Sequence, residues 1–124
     1  MVKSYEDLIV WQKAMEMTEE VYRITKQLPK EETFSLMDQM RRSAVSVPSN
    51  IAEGFGRKNQ KEFHRFLLIA RGSAMELETQ LKICLRVGYL QQEMITKILN
   101  LLSEINKIIF SILSPNSCLL SPKK

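Results

Sequence analysis

Histidine and tryptophan each occur once in this 124-residue chain, cysteine twice, and glycine and proline four times each. Each scarcity closes a route. One histidine, His64, and two cysteines, Cys84 and Cys118, fit no zinc-ligand spacing, and two distant thiols are no disulfide framework. So few glycines and prolines argue against the many turns of a β-sandwich. No apolar run approaches the roughly 20 residues a bilayer span requires. The opening residues, MVKSYEDL, lack the charged-then-apolar layout of a secretion signal. The expectation is a cytoplasmic protein with no membrane partner, no metal and no cofactor.

What remains is a globular composition, 44% apolar and 26% charged, of a size for one domain. A net charge of +4 and a pI near 9.2 permit a nucleic-acid partner without requiring one.

The apolar residues recur with helical period. Leu8, Trp11, Met15, Tyr22, Thr25 and Leu28, widened by Ala14, Val21 and Ile24, predict a first helix over Tyr5 to Leu28, closed by Pro29. From Phe34, the steps Met37, Met40, Ala44, Val47 and Ile51 predict a second helix. Asn59 and Glu62 make a capping-box-like start to a third, whose residues Phe63, Phe66, Leu67, Ala70, Ala74, Leu77, Leu81, Cys84 and Leu85 share one arc. Gly88 is the expected stop. A fourth helix carries Met94, Ile98, Leu101, Leu102, Ile105, Ile108, Ile109 and Ile112, and Pro115 ends it. The fold expected is all-α, an up-down-up-down four-helix bundle over residues 1–114, with a flexible C-terminal tail over 115–124.

Pro48 falls inside the second helix. A proline there removes one backbone hydrogen bond and crowds the carbonyl four residues back, which costs about 3 kcal/mol unless relieved. The apolar phase of Ala44, Val47 and Ile51 is nevertheless unbroken, so the expected helix is continuous, kinked at Pro48, and ended near Gly54 in a left-handed cap. Opposite the apolar stripe lie Arg42, Ser46, Ser49, Asn50 and Glu53. A strip on the third helix mixes Ile69, Ser73, Glu76, Gln80, Ile83 and Val87. A solvated face is the plain reading for any one of these residues. As a set, Arg42, Asn50, Glu53, Ser73 and Glu76 are expected at subunit contacts or in a polar network supporting them.

The segments LIVWQKAMEMTEEVYRIT and QMRRSAVSVPSNIAEGFGRKNQKEFHRFLLIARGSAMELETQL resemble the four-helix bundle proteins of the 23S rRNA intervening-sequence family, also called S23 ribosomal proteins. The signature RR-x-A-x-S-x-P-x-N-I-A-E-G stands at Arg41, Arg42, Ala44, Ser46, Pro48, Asn50, Ile51, Ala52, Glu53 and Gly54. The resemblance covers about Tyr5 to Leu90; the fourth helix matches in pattern only. It implies a four-helix bundle assembled into a five-fold ring, hence a homopentamer. A more distant relative is a basic ring that accompanies reverse transcriptase and nucleic acid in diversity-generating retroelements.

Catalysis has little to work with. His64 falls on the charged side of the third helix, away from Cys84 in its core arc, and GFGRKN has neither the spacing nor the preceding strand of a phosphate loop. Trp11, in the apolar stripe, reads better as core than as a base-stacking platform. No catalytic residue is expected, and the chain reads as a binding protein rather than an enzyme. The basic residues Arg57, Lys58, Lys61, Arg65, Arg71, Lys82 and Arg86 are the expected nucleic-acid contacts. Each alone is an ordinary solvated side chain; repeated around a ring they form a multivalent belt for RNA or DNA backbones. The alternative is a structural adaptor ring that binds a partner protein.

Overall fold

The computed structural model describes residues 2–115, so most of the segment 115–124 expected to form a tail lies outside the described residues. Four long helices follow in order: α1 (Ile9–Thr25), α2 (Leu36–Gly56), α3 (Gln60–Arg86) and α4 (Gln92–Leu113), with no strand among the described residues. α1 packs against α2 and α4, and α3 against α2 and α4. The cross-helix bonds fix the directions. Arg41 reaches Thr25 while Thr18 reaches Ala44, Met40 meets Cys84 while Ser46 meets Ser73, and Lys97 meets Glu20 while Lys13 meets Glu104. In each pair one helix rises as its neighbour falls.

The expected first helix is divided. Ser4 and Asp7 close a local capping box around a 3₁₀ turn over Tyr5–Asp7, and Leu8 is extended (φ −77°, ψ 127°), so α1 starts only at Ile9. Side-chain bonds to nearby backbone here compete with the helix ladder. Its centre is also displaced: Val10, Ala14, Met17, Val21 and Ile24 are buried, whereas Met15 and Tyr22 stand exposed and Trp11 half-buried. Phe34, expected to open the second helix, lies before it and is 93% exposed.

α2 runs unbroken through Pro48 to Gly56. Its relief is visible across the bundle: the Thr18 hydroxyl lies 3.2 Å from the Ala44 carbonyl, the acceptor that the proline cannot bond, and 2.8 Å from the Ala14 carbonyl. Gly54 is no left-handed cap. It sits inside the helix where a Cβ would come within 2.6 Å of Phe66 Cβ, so its role is to let α3 approach. The left-handed residue is instead Lys58, at φ 54°. α3 matches expectation closely, with Phe63, Phe66, Leu67, Ala70, Ala74, Leu77, Leu81 and Cys84 all buried, Leu85 half-buried, and Gly88 at φ 84° beyond its end. α4 stops at Ser114, extended at ψ 140°, as a residue before proline should be.

Candidate nucleic-acid interface

The tight turn from α2 to α3 collects four of the seven expected basic contacts. Asn59 caps α3, its side-chain oxygen accepting from the Glu62 amide at 2.9 Å. The left-handed Lys58 turns the chain, and the absence of a side chain at Gly54 seats Phe66 against α2. Phe55 and Phe63 close the junction edge-to-face at 5.9 Å. Over the Phe66 ring lie two guanidinium groups, Arg57 at 5.1 Å and Arg65 at 4.6 Å. Each is held by a carboxylate: Arg57 donates to Glu53 at 3.0 Å and Arg65 to Glu62 at 3.1 Å. Aromatic contact and ion pairing thus fix two otherwise loose side chains.

Lys58 and Lys61 are different. Both are exposed and form no ion pair among the described residues. The field they help create is felt at Glu62, whose carboxyl is held below the usual range by the bonded Arg65, with further contributions from the charges of Arg57 and Lys61. Four cations against two carboxylates leave the turn electropositive, with the lysines its free charges.

The other three expected contacts lie elsewhere. Arg71 is exposed in the first half of α3, and Lys82 and Arg86 approach its far end, so Lys61 and Arg86 are separated by roughly 38 Å of helix. Lys82 is paired with Glu78 at 3.1 Å. The seven therefore form a cluster of four and a sparse row of three.

Of the expected interface set, Asn50 and Ser73 join one network. Asn50 Nδ2 donates to the Ser46 carbonyl at 2.8 Å and to its hydroxyl at 2.9 Å, and Ser73 Oγ donates to Ser46 Oγ at 2.8 Å. Arg42, Ser73 and Glu76 line a shallow hollow of about 190 Å³ between α2 and α3, shared with Gln39, Ser43 and Ser46. Arg42 is also tied to Asp38 at 3.0 Å, and Glu53 points to Arg57 instead. Ser46, the centre of this network, was not among the residues expected to form it. The signal was present, since Ser46 and Asn50 lie four apart on one helical face.

Cys84 is in the core, and Cys118 lies outside the described residues. The Cys84 thiol is buried beside Met40, sulfur to sulfur at 3.6 Å, and burial pushes its pKa up to about 11. Among the described residues no cluster of His, Cys, Asp and Glu could hold a metal, and no helix is long and apolar enough to cross a membrane.

The family described as 23S rRNA-intervening sequence protein matches the chain over residues 6–111. A crystal structure of a protein of unknown function from the S23 ribosomal protein family, from Bacteroides thetaiotaomicron, is similar at 31% identity, covering 86% of this chain and 99% of its own, with a TM-score of 0.79. No curated protein matches.

Proposed function

The chain belongs to the 23S rRNA-intervening sequence protein family, and from that premise we propose that it is a non-enzymatic, homo-oligomeric protein that binds RNA or DNA backbones through the turn between α2 and α3. The observation that carries this reading is the grouping of Arg57, Lys58, Lys61 and Arg65 at one turn, with both arginines over Phe66 and both lysines exposed and without an ion pair among the described residues. Such a site offers phosphate contacts and no base-edge geometry, which predicts binding without strong sequence preference.

Assembly multiplies it. Along α3, Ile69, Ser73, Glu76, Gln80, Ile83 and Val87 recur in alternating steps of three and four residues, the spacing of a helix-to-helix seam. Ile69, Ile83 and Val87 on that row are exposed, beside the Arg42–Ser73–Glu76 hollow. A second subunit packed there, in a ring of five, would repeat the basic turn around the axis and raise avidity for a continuous polyanion.

The test is fluorescence anisotropy with homopolymeric RNA and duplex DNA across a salt series. Affinity should fall by about 0.7 to 0.9 log units per log unit of salt for each phosphate contact. Arg57 supports Phe66, so the informative variant is Lys58→Gly with Lys61→Ala. Glycine suits the left-handed position and neither lysine is in the core, so the fold should persist while the slope flattens. Unchanged binding in the double variant, or no salt-dependent binding in the parent, sinks the nucleic-acid reading. The exposed row on α3 would then favour the adaptor ring that binds a protein. A monomeric mass at micromolar concentration would sink the oligomer.

A further inference from the structure

We infer that subunits join by seating α3 of one copy in the open groove between α1 and α2 of the next, with Glu76 of the seated helix paired to Arg41 of the receiving copy. The inference rests on the homo-oligomer reading above and is independent of the nucleic-acid one. Two rows build the groove. Trp11, Met15, Thr18 and Tyr22 follow one another along α1 at steps of four, three and four, and Arg41, Val45, Pro48 and Ala52 do the same along α2. A hollow of about 540 Å³ takes in Tyr22, Arg41 and Val45, and one of about 360 Å³ continues from Val45 past Met15, Pro48 and Trp11. Met15, Tyr22 and Val45 are each more than a third exposed, a contiguous apolar surface of the kind that marks an interaction site.

The charges select the occupant. The Arg41 guanidinium lies 4.5 Å over the Tyr22 ring and donates to the Thr25 hydroxyl at 2.9 Å and to the Tyr22 carbonyl at 3.3 Å. It is thus held in place, yet it forms no ion pair among the described residues. The Asp38 carboxylate in the same hollow is taken by Arg42. Glu76 is the converse: an exposed carboxylate in the middle of the half-apolar row on α3, also without an ion pair among the described residues, because Arg42 across its hollow is turned to Asp38. In a ring whose copies all point the same way, the seated α3 runs antiparallel to α2 and parallel to α1, as it does in its own subunit. From Glu76 to Ile69, from Arg41 to Pro48 and from Tyr22 to Met15 the step is seven residues, about 10.5 Å of helix each time. Glu76 set at Arg41 therefore places the exposed Ile69 between Met15 and Pro48. The opposite step brings the exposed Ile83 level with the approach to α2, where Phe34 is 93% exposed. One register pairs both charges and covers apolar residues on either side of them. The two patches differ, so the contact is heterologous, the type that closes rings.

Size-exclusion chromatography with light scattering on the full chain tests the pairing. Glu76→Arg, which sets two cations against each other, should raise the concentration of half-dissociation by more than about tenfold with far-UV circular dichroism unchanged, and adding Arg41→Glu should recover the parent's mass. A second variant tests the register without touching either charge. Met15→Cys with Ile69→Cys, in a Cys118→Ser background, should give a ladder of covalent multimers under mild oxidation; α1 and α3 are not neighbours within one chain, so that disulfide forms only between copies. A parent-like mass in Glu76→Arg, a double charge variant that stays dissociated, or an oligomeric parent whose cysteine pair yields no multimers would overturn the inference and leave the oligomer standing. A monomeric parent would overturn both.

Discussion

At residue scale, two glycines in helices make opposite demands. Gly54 is pressed against Phe66, where an added Cβ would meet Phe66 Cβ at 2.6 Å, whereas nothing lies within 4 Å of a Cβ at Gly72. Replacing glycine by alanine inside a helix is worth about 0.5–1 kcal/mol to the folded state. Overpacking a close contact costs about 1–3 kcal/mol. Gly72→Ala should therefore raise the urea midpoint, and Gly54→Ala should lower it, each with the slope unchanged and at one protein concentration. A stabilised Gly54→Ala would show that α2 and α3 separate freely.

At element scale, the continuity of α2 depends on a residue of another helix. Ala44 is fully buried, so its carbonyl cannot turn to water, and Thr18 offers the replacement donor at 3.2 Å. Thr18→Val should cost about 1–3 kcal/mol, the range for leaving a buried acceptor unpaired. Pro48→Ala restores an amide at the position that bonds this carbonyl, so Thr18→Val should cost distinctly less in that background. A double-mutant cycle measures the coupling. Additivity would mean that Thr18 serves only its own helix through Ala14.

At the scale of the whole molecule, α1 and α4 are laced by surface charge: Lys13 to Glu104 at 2.9 Å, and Lys97 to Glu16 and Glu20 at 3.5 and 3.4 Å. Glu20 is also paired with Arg23. That pairing, followed by the bond to Lys97, holds its carboxyl below the ordinary value of 4.5. A folded-state pKa below the unfolded one gives stability that is present above pH about 4.5 and lost as pH falls through the lowered value. The thermal midpoint should accordingly drop on acidification below that point, and Glu20→Gln should reduce the drop while lowering the midpoint near neutrality. An unchanged acid profile in Glu20→Gln would place the sensitivity at other carboxylates, such as Glu32 or Glu62.

Chain-local physics determined how many helices there are and most of where they stop. Helical period is a property of neighbours three and four apart, and caps such as Asn59 and Gly88 act within a turn, so α3 and α4 were legible residue by residue. The grouping of Arg57, Lys58, Lys61 and Arg65 was legible for the same reason, being nearly contiguous. Only the packed structure decided which edge of a wide apolar stripe is covered. Trp11, Met15 and Tyr22 fall on as regular a helical row as Ala14, Met17 and Val21, and the neighbours α2 and α4 bury the second. It also assigned Gly54 to close approach, Lys58 to the left-handed turn, Thr18 to Ala44 and two arginines to the Phe66 ring, because each of these depends on backbone conformation or on a partner from another element. Distance along the chain carries no record of such contacts until the helices meet.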